Sequence, residues 1–192
     1  DNISGILQST RDAYLSAAAF DFSQTFYRVR GLGSEYGSLM INGVEMNKAF
    51  DGRPQWSNWG GLNDVQRNQV FSPGVSPSEY AFGGLGGTTN IIMRASRFAS
   101  GGRITASGSN RSYTGRLMAT YASGEKNNGW FYAFSMGRRY ASEGYMEGTP
   151  FDANSIYLGL EKFINKEHVL NFTAIYTPTL RGKSAPLTEE VV

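Results

Sequence analysis

The stretch Trp130-Phe131-Tyr132-Ala133-Phe134-Ser135-Met136-Gly137 sets Trp130, Tyr132, Phe134 and Met136 against Ala133, Ser135 and Gly137. Successive side chains of a strand leave on opposite sides, so bulky residues at every second position predict a β-strand with one apolar face. The period continues on both sides. Over residues 113–121, Tyr113, Gly115, Leu117, Ala119 and Tyr121 are apolar or small, while Thr114, Arg116 and Thr120 take the other face. Ile156, Leu158 and Leu160 alternate with Tyr157, Gly159 and Glu161. Leu170, Phe172, Ala174 and Tyr176 alternate with Asn171 and Thr173, and Ile175 breaks the pattern. Consecutive strands of this kind predict an antiparallel sheet over residues 99–192.

A soluble sandwich alternates too, so the strand ends matter. Tyr113, Tyr121, Trp130 and Tyr176 stand at ends of apolar faces with aliphatic residues between them. Aromatic ends around an aliphatic middle suit the two interfaces of a bilayer. The links 123–128 and 165–167 are turn-like and 140–152 is long, as in membrane barrels with one short and one long set of loops. These features favour a transmembrane barrel, with a soluble carbohydrate-binding sandwich as the alternative. Leu117, Phe134, Leu158 and Phe172, mid-strand on the bulky faces, are then expected to face lipid.

Before residue 98 the texture differs. Ile3, Ile6 and Leu7 have helical spacing, residues 26–30 and 39–41 read as strands, and Asn42-Gly43 reads as a tight turn with positive φ at both positions. Residues 60–69 can carry one helical turn with Leu62, Val65 and Gln69 on one side, and residues 88–94 form a strand after the cluster Gly83, Gly84, Gly86 and Gly87. The prediction is an α+β unit over residues 1–98, with more loop than element.

The 192 residues carry a net charge of +2, no cysteine, 24 Gly, 11 Tyr and 12 Phe. Disulfides and thiolate zinc sites are excluded. No run approaches the ~18 apolar residues of a membrane helix, a test that says nothing about barrel strands. Basic residues are dispersed, so no nucleic acid partner is expected, and the run from Arg94 to Arg97 reads as a solvated face. No signal peptide is visible ahead of Asp1-Asn2-Ile3, so the chain is expected to begin after trimming or part-way along a longer protein.

Nothing points to an enzyme. His168 is the only histidine, no serine lies in a nucleophile elbow, and Asp12, Asp21, Glu35, Asp51 and Asp64 are scattered among loops. The glycine cluster has neither phosphate-loop form, and no metal-ligand spacing occurs. No catalytic, metal or cofactor site is predicted.

Three motifs carry a resemblance. Tyr27-Arg28-Val29-Arg30-Gly31, Ser38-Leu39-Met40-Ile41-Asn42-Gly43-Val44, and Tyr80-Ala81-Phe82-Gly83-Gly84-Leu85-Gly86-Gly87-Thr88-Thr89-Asn90-Ile91-Ile92 stand in the order of the plug motifs of TonB-dependent outer-membrane receptors. Asn42 stands where that family usually has Asp. Asn42-Gly43, the stretch from Trp56 to Asn63, and Arg138-Arg139-Tyr140 are most similar to Bacteroidetes receptors. The resemblance implies a plug at residues 1–98 inside a barrel of about 22 strands, of which residues 99–192 supply the first. It implies active transport of a scarce nutrient (siderophore, cobalamin or glycan) across a Gram-negative outer membrane. The driving partner would be TonB with ExbB and ExbD, acting on a segment before Asp1, and a surface lipoprotein partner is compatible with it. A plugged barrel with an assembly or signalling role is the alternative.

Within that resemblance, Arg28 and Arg30 are the expected plug–barrel lock, Arg30 matching a plug arginine that pairs with barrel glutamates. Gly31, Gly43, Gly83, Gly84, Gly86 and Gly87 are the motif glycines. Tyr36, Trp56 and Trp59 are candidates to stack on a ligand, against the alternative that they pack the plug on the barrel wall.

Overall fold

The computed structural model describes residues 31–109 and 113–182, which form two sheets. The lock candidates Arg28 and Arg30, the helical reading of residues 2–7 and the strand reading of 26–30 lie outside the described residues.

The smaller sheet holds β1 (Ser38–Ile41), β2 (Val44–Glu45), β3 (Gln69–Ser72) and β4 (Thr88–Ile91), in the order β2-β1-β4-β3. β1 and β2 form a hairpin across Asn42 (φ 51°) and Gly43 (φ 81°), the double positive-φ turn expected for Asn-Gly. β1 and β4 run parallel, Ser38 opposite Thr88 and Ile41 opposite Ile91, which forces the long crossover through residues 46–87. The helical elements among the described residues are short 3₁₀ turns, at Ser34–Tyr36, Trp56–Trp59 and Ala95–Arg97, so the helical share of the expected α+β unit is slight here. The turn predicted in 60–69 is present: the N–H groups of Val65 and Gln66 donate to Leu62 O at 3.1 and 3.2 Å. Leu62 and Val65 are fully buried, while Gln69 has passed into β3.

The larger sheet is antiparallel: β5 (Gly101–Gly108), β6 (Gly115–Ala122), β7 (Trp130–Ala141), β8 (Phe151–Phe163), β9 (Val169–Tyr176) and β10 (Thr179–Arg181). β9 and β10 are one strand in all but a single place. Ile156 faces Tyr176 and Ala153 faces Thr179, so the register against β8 is unchanged across the gap. Asn154 N–H donates to Pro178 O at 3.0 Å, and the proline has no N–H to return the bond. Among the described residues the sheet stays open, with β5 and β9–β10 at its edges. The expected contrast of short and long links is weak: 123–129 and 164–168 join strands at one end, 109–114 and 142–150 at the other.

Alternation sorts the faces of the larger sheet. Trp130, Tyr132, Phe134 and Met136 of β7 and Ile156, Leu158 and Leu160 of β8 point outward and are exposed. Ala133, Ser135, Tyr157 and Glu161 point inward and have no exposed surface. Leu117 and Phe172 also lie on the outward face. Tyr113 departs from its expected place: it packs beside Phe151 and Ala141 on the inward side, because β6 begins only at Gly115. Ile175 breaks its strand's alternation because it packs inward against the shared core.

Candidate functional site

The two sheets share one core. Leu39, Ile41, Trp59, Leu62, Val65, Ile91, Met93 and Ala95 from the smaller unit cluster with Ala122, Ala133 and Tyr157 of the larger sheet. Small residues on the inward face let the smaller unit come close. At Gly159 a methyl group would lie 2.1 Å from Tyr157 Oη, so this glycine leaves the tyrosine room to lie along its own strand. Tyr157 thereby donates to Met93 O at 2.5 Å, out of water.

Polar contacts complete the interface in two groups. Near the 164–168 turn, the buried Glu161 accepts from Arg94 Nε (2.9 Å) and Arg94 Nη2 through Oε1, and from Ser96 N–H (2.9 Å) through Oε2. A carboxylate without exposed surface requires such partners, because removing a charge from water costs several kcal/mol (~) unless pairing offsets it. Toward the 142–150 loop the bonds are neutral or weak. Ser155 Oγ donates to Gly60 O (2.7 Å), Thr177 Oγ1 to Asn58 O (2.6 Å), and Arg116 Nη2 to Gly61 O (3.3 Å). Between the groups, Thr120 Oγ1 donates to Asp64 Oδ2 (3.2 Å), and Asn42 Nδ2 donates to Thr173 Oγ1 (3.1 Å) beside them.

A small mixed sheet thus sits on the water-compatible face of a larger one whose other face is apolar. Residues 1–88 match the family model for the TonB-dependent receptor plug domain. The chain carries a TonB-dependent receptor plug domain. No curated protein and no solved structure matches it. β4 begins at the last matched residue, Thr88, and Arg94 lies six residues beyond the match, so the chain reaches its anchoring pair just past it.

Placed on this plug, the sequence-derived residues separate. Gly31, Gly43, Gly83 and Gly87 have positive φ, whereas Gly84 and Gly86 do not. A methyl at Gly84 or Gly86 would meet the backbone of Tyr36, at 2.7 and 3.1 Å, and Gly86 N–H donates to Tyr36 O. The glycine segment therefore crosses the start of β1 closely and delivers β4 to its parallel register. Trp59 is buried in the core between the two sheets, edge-on to Trp56 at 6.0 Å. Trp56 packs against the same core, and Tyr36 is half exposed.

Arg94 corrects the reading of its run as a solvated face, since its guanidinium is held by Glu161 across the interface. Sequence reasoning looked for the lock at Arg28 and Arg30 and missed this pair. One signal was available: Glu161 is an ionisable residue at an inward position of a strand, where an unpaired charge is costly. Among the described residues no group of three or more His, Cys, Asp or Glu side chains could hold a metal, and no helix is long and apolar enough to cross a membrane.

Proposed function

We propose that this chain is part of an outer-membrane transporter of scarce nutrients, of Bacteroidetes type, in which the plug closes the lumen of a barrel and no reaction is catalysed. The observation that carries the reading is the outward face of β7 and β8. On β8, Ile156, Leu158 and Leu160 lie between Asn154 and Lys162; on β7, Tyr132, Phe134 and Met136 lie between Arg138 and Trp130. Each interval is eight residues (154 to 162 and 130 to 138). At ~3.4 Å per residue that is ~27 Å along the strand, or ~21 Å after a tilt of ~40°. An apolar band of ~25 Å is what a barrel presents to lipid.

The flanks agree with this reading. Arg138 holds Asp152 through two bonds (3.1 and 2.8 Å) at one margin, and Lys162 lies 5.1 Å from the Trp130 ring centre at the other. Bare sheet edges are not tolerated in hydrocarbon, so β5 and β9–β10 require neighbouring strands. Transport needs force from the periplasmic side, supplied in this family through the TonB system. Uptake of ferric siderophores, cobalamin and oligosaccharides, compared in cells with and without the receptor and with and without TonB, tests the reading. The expected result is loss of one nutrient class in both deletions. Recovery of the protein in the soluble fraction would refute it.

A further inference from the structure

We propose that Arg116 and Arg139 form an oxyanion site on the lumen wall, which takes a ligand carrying clustered carboxylate or phosphate groups. The proposal rests on the reading of this face as a transporter lumen and names the ligand chemistry that face would take.

Arg116 and Arg139 are direct cross-strand partners of β6 and β7, and both lie on the inward face. Like charges placed opposite each other on a sheet are destabilising unless a counter-charge joins them. None does so here. Other interface cations have carboxylates: Arg94 has Glu161, and Arg67 and Arg103 share Asp64. Asp152, the acid nearest in register, is engaged by Arg138 on the outer face. Among the described residues Arg116 makes two long contacts, to Gly61 O and to Met118 Sδ, both at 3.3 Å.

Arg139 Nε is buried and has no acceptor among the described residues. A buried donor without an acceptor is uncommon and costly. The Arg139 guanidinium lies over the Phe151 ring, 5.3 Å from its centre. Stacking uses the flat face of the fork and leaves its in-plane N–H groups for an acceptor. Trp59 Nε1, in the turn that precedes Gly60, is a second buried donor without an acceptor among the described residues.

The plug meets Arg139 with backbone rather than with side chains. A methyl on Gly60 would come within 3.2 Å of Arg139 Nη2, and one on Gly61 within 3.1 Å of its Nε. Two glycines thus keep plug side chains off the guanidinium. Two forks on adjacent strands suit a group with several oxygens, since each can bind two of them with charge-assisted bonds. An anion there would replace Gly61 O as the partner of Arg116, and so act on the plug turn that the arginine now holds.

Isothermal titration of the detergent-purified full receptor with citrate and with pyrophosphate tests the site. Wild type should bind at least one of them, more weakly as salt rises. Arg116→Gln with Arg139→Gln should weaken binding at least roughly tenfold, the loss expected for one charge-assisted contact. Arg138→Gln, on the outer face of the same strand, should leave binding unchanged. If the double variant does not fold, Arg139→Lys, which keeps the charge and loses the fork, should still weaken binding severalfold.

A receptor that fractionates with the outer membrane yet binds neither anion, or binds them equally in the double variant, overturns the site while the transporter reading stands. The first of those results would indicate that a carboxylate of the protein itself occupies the pair. Recovery of the protein without detergent overturns the lumen reading, and the proposal with it.

Discussion

Leu158→Arg and Leu117→Arg should differ sharply, although both replace an exposed leucine on the same face of the same sheet. Leu158 sits opposite Phe134 and Ala174, in the middle row of the apolar band. Leu117 sits opposite Arg138, on the row where charge already marks the margin. Neighbouring strands are only ~4.8 Å apart, so the guanidinium of Leu117→Arg would lie near the depth at which Arg138 meets Asp152. An arginine on the lipid face costs ~2–4 kcal/mol at the midplane and ~0–1 near an interface. The expectation is therefore a loss of ~2–4 kcal/mol for Leu158→Arg and at most ~1 for Leu117→Arg. Equilibrium denaturation of the receptor from lipid vesicles measures both. In water the prediction changes: Leu158 is 37% exposed and Leu117 58%, and an arginine at either would cost little. Losses below ~0.5 kcal/mol at both positions would show that this face meets water. Equal large losses would show that the face is buried along its whole height, as in a sandwich.

Three further outcomes follow from the interface. Arg94→Ala leaves Glu161 buried without its cation and should loosen plug docking by ~2–4 kcal/mol, the low side of the range for a broken buried pair because Arg94 is partly exposed; raised conductance in planar bilayers and a lower denaturation midpoint are the readouts. Glu161→Gln, which keeps an acceptor for Ser96 N–H and removes the charge, should fall between wild type and Arg94→Ala in the same assays. Gly159→Ala should displace Tyr157 from Met93 O and cost at least as much as Tyr157→Phe, whose lost bond is worth ~1–2 kcal/mol with the carbonyl left buried; a Gly159→Ala variant as stable as wild type would show that the tyrosine has another place to go.

Much of the larger sheet is legible from alternation because one face is apolar along most of each strand. The exceptions have local causes. β5 presents Gly102, Ile104, Ala106 and Gly108 outward, too little side chain to register a period. β7 and β8 run on through Arg138, Arg139, Asp152 and Asn154, where the strands leave the apolar band, so their ends read as part of a loop over 140–152. The Asn42-Gly43 turn is readable because few residue pairs accept two positive φ values. The interface is different in kind. Arg94 and Glu161 are 67 residues apart, and no local pattern pairs them. Trp59 illustrates the same limit: loop composition places it near a surface, and only packing against Leu62 and Tyr157 shows it to be core.

On the proposed reading, the alternation of β8 would let a domain be held in a barrel and still be removable. Leu158 and Leu160 belong to a face suited to lipid, while Ser155, Tyr157, Gly159 and Glu161, on the same strand, meet the plug. The inner face contributes only Ala122, Ala133 and Tyr157 to the shared core, with Phe131 and Ile175 packed against it; a fully apolar inner face would add further hydrophobic surface to expose on separation, at ~25 cal/mol for each Å². Here much of the contact is made of single hydrogen bonds to backbone carbonyls at Gly60, Asn58 and Met93. Each is worth only ~0.5–1.5 kcal/mol net, because water can take its place. The exception is Glu161, where a charge is fully enclosed. Its partners Arg94 and Ser96 lie just after β4, the strand that runs parallel to β1 at the centre of the plug sheet. On that reading, tension applied from the N-terminal side of β1 would reach the larger sheet through four parallel residue pairs, loaded in shear, and then through Glu161 and the Tyr157 bond to Met93 O. The polar resistance of the plug is concentrated where the chain after β4 meets β8, and the single hydrogen bonds elsewhere can be exchanged for water one at a time, unlike the apolar core the two sheets share.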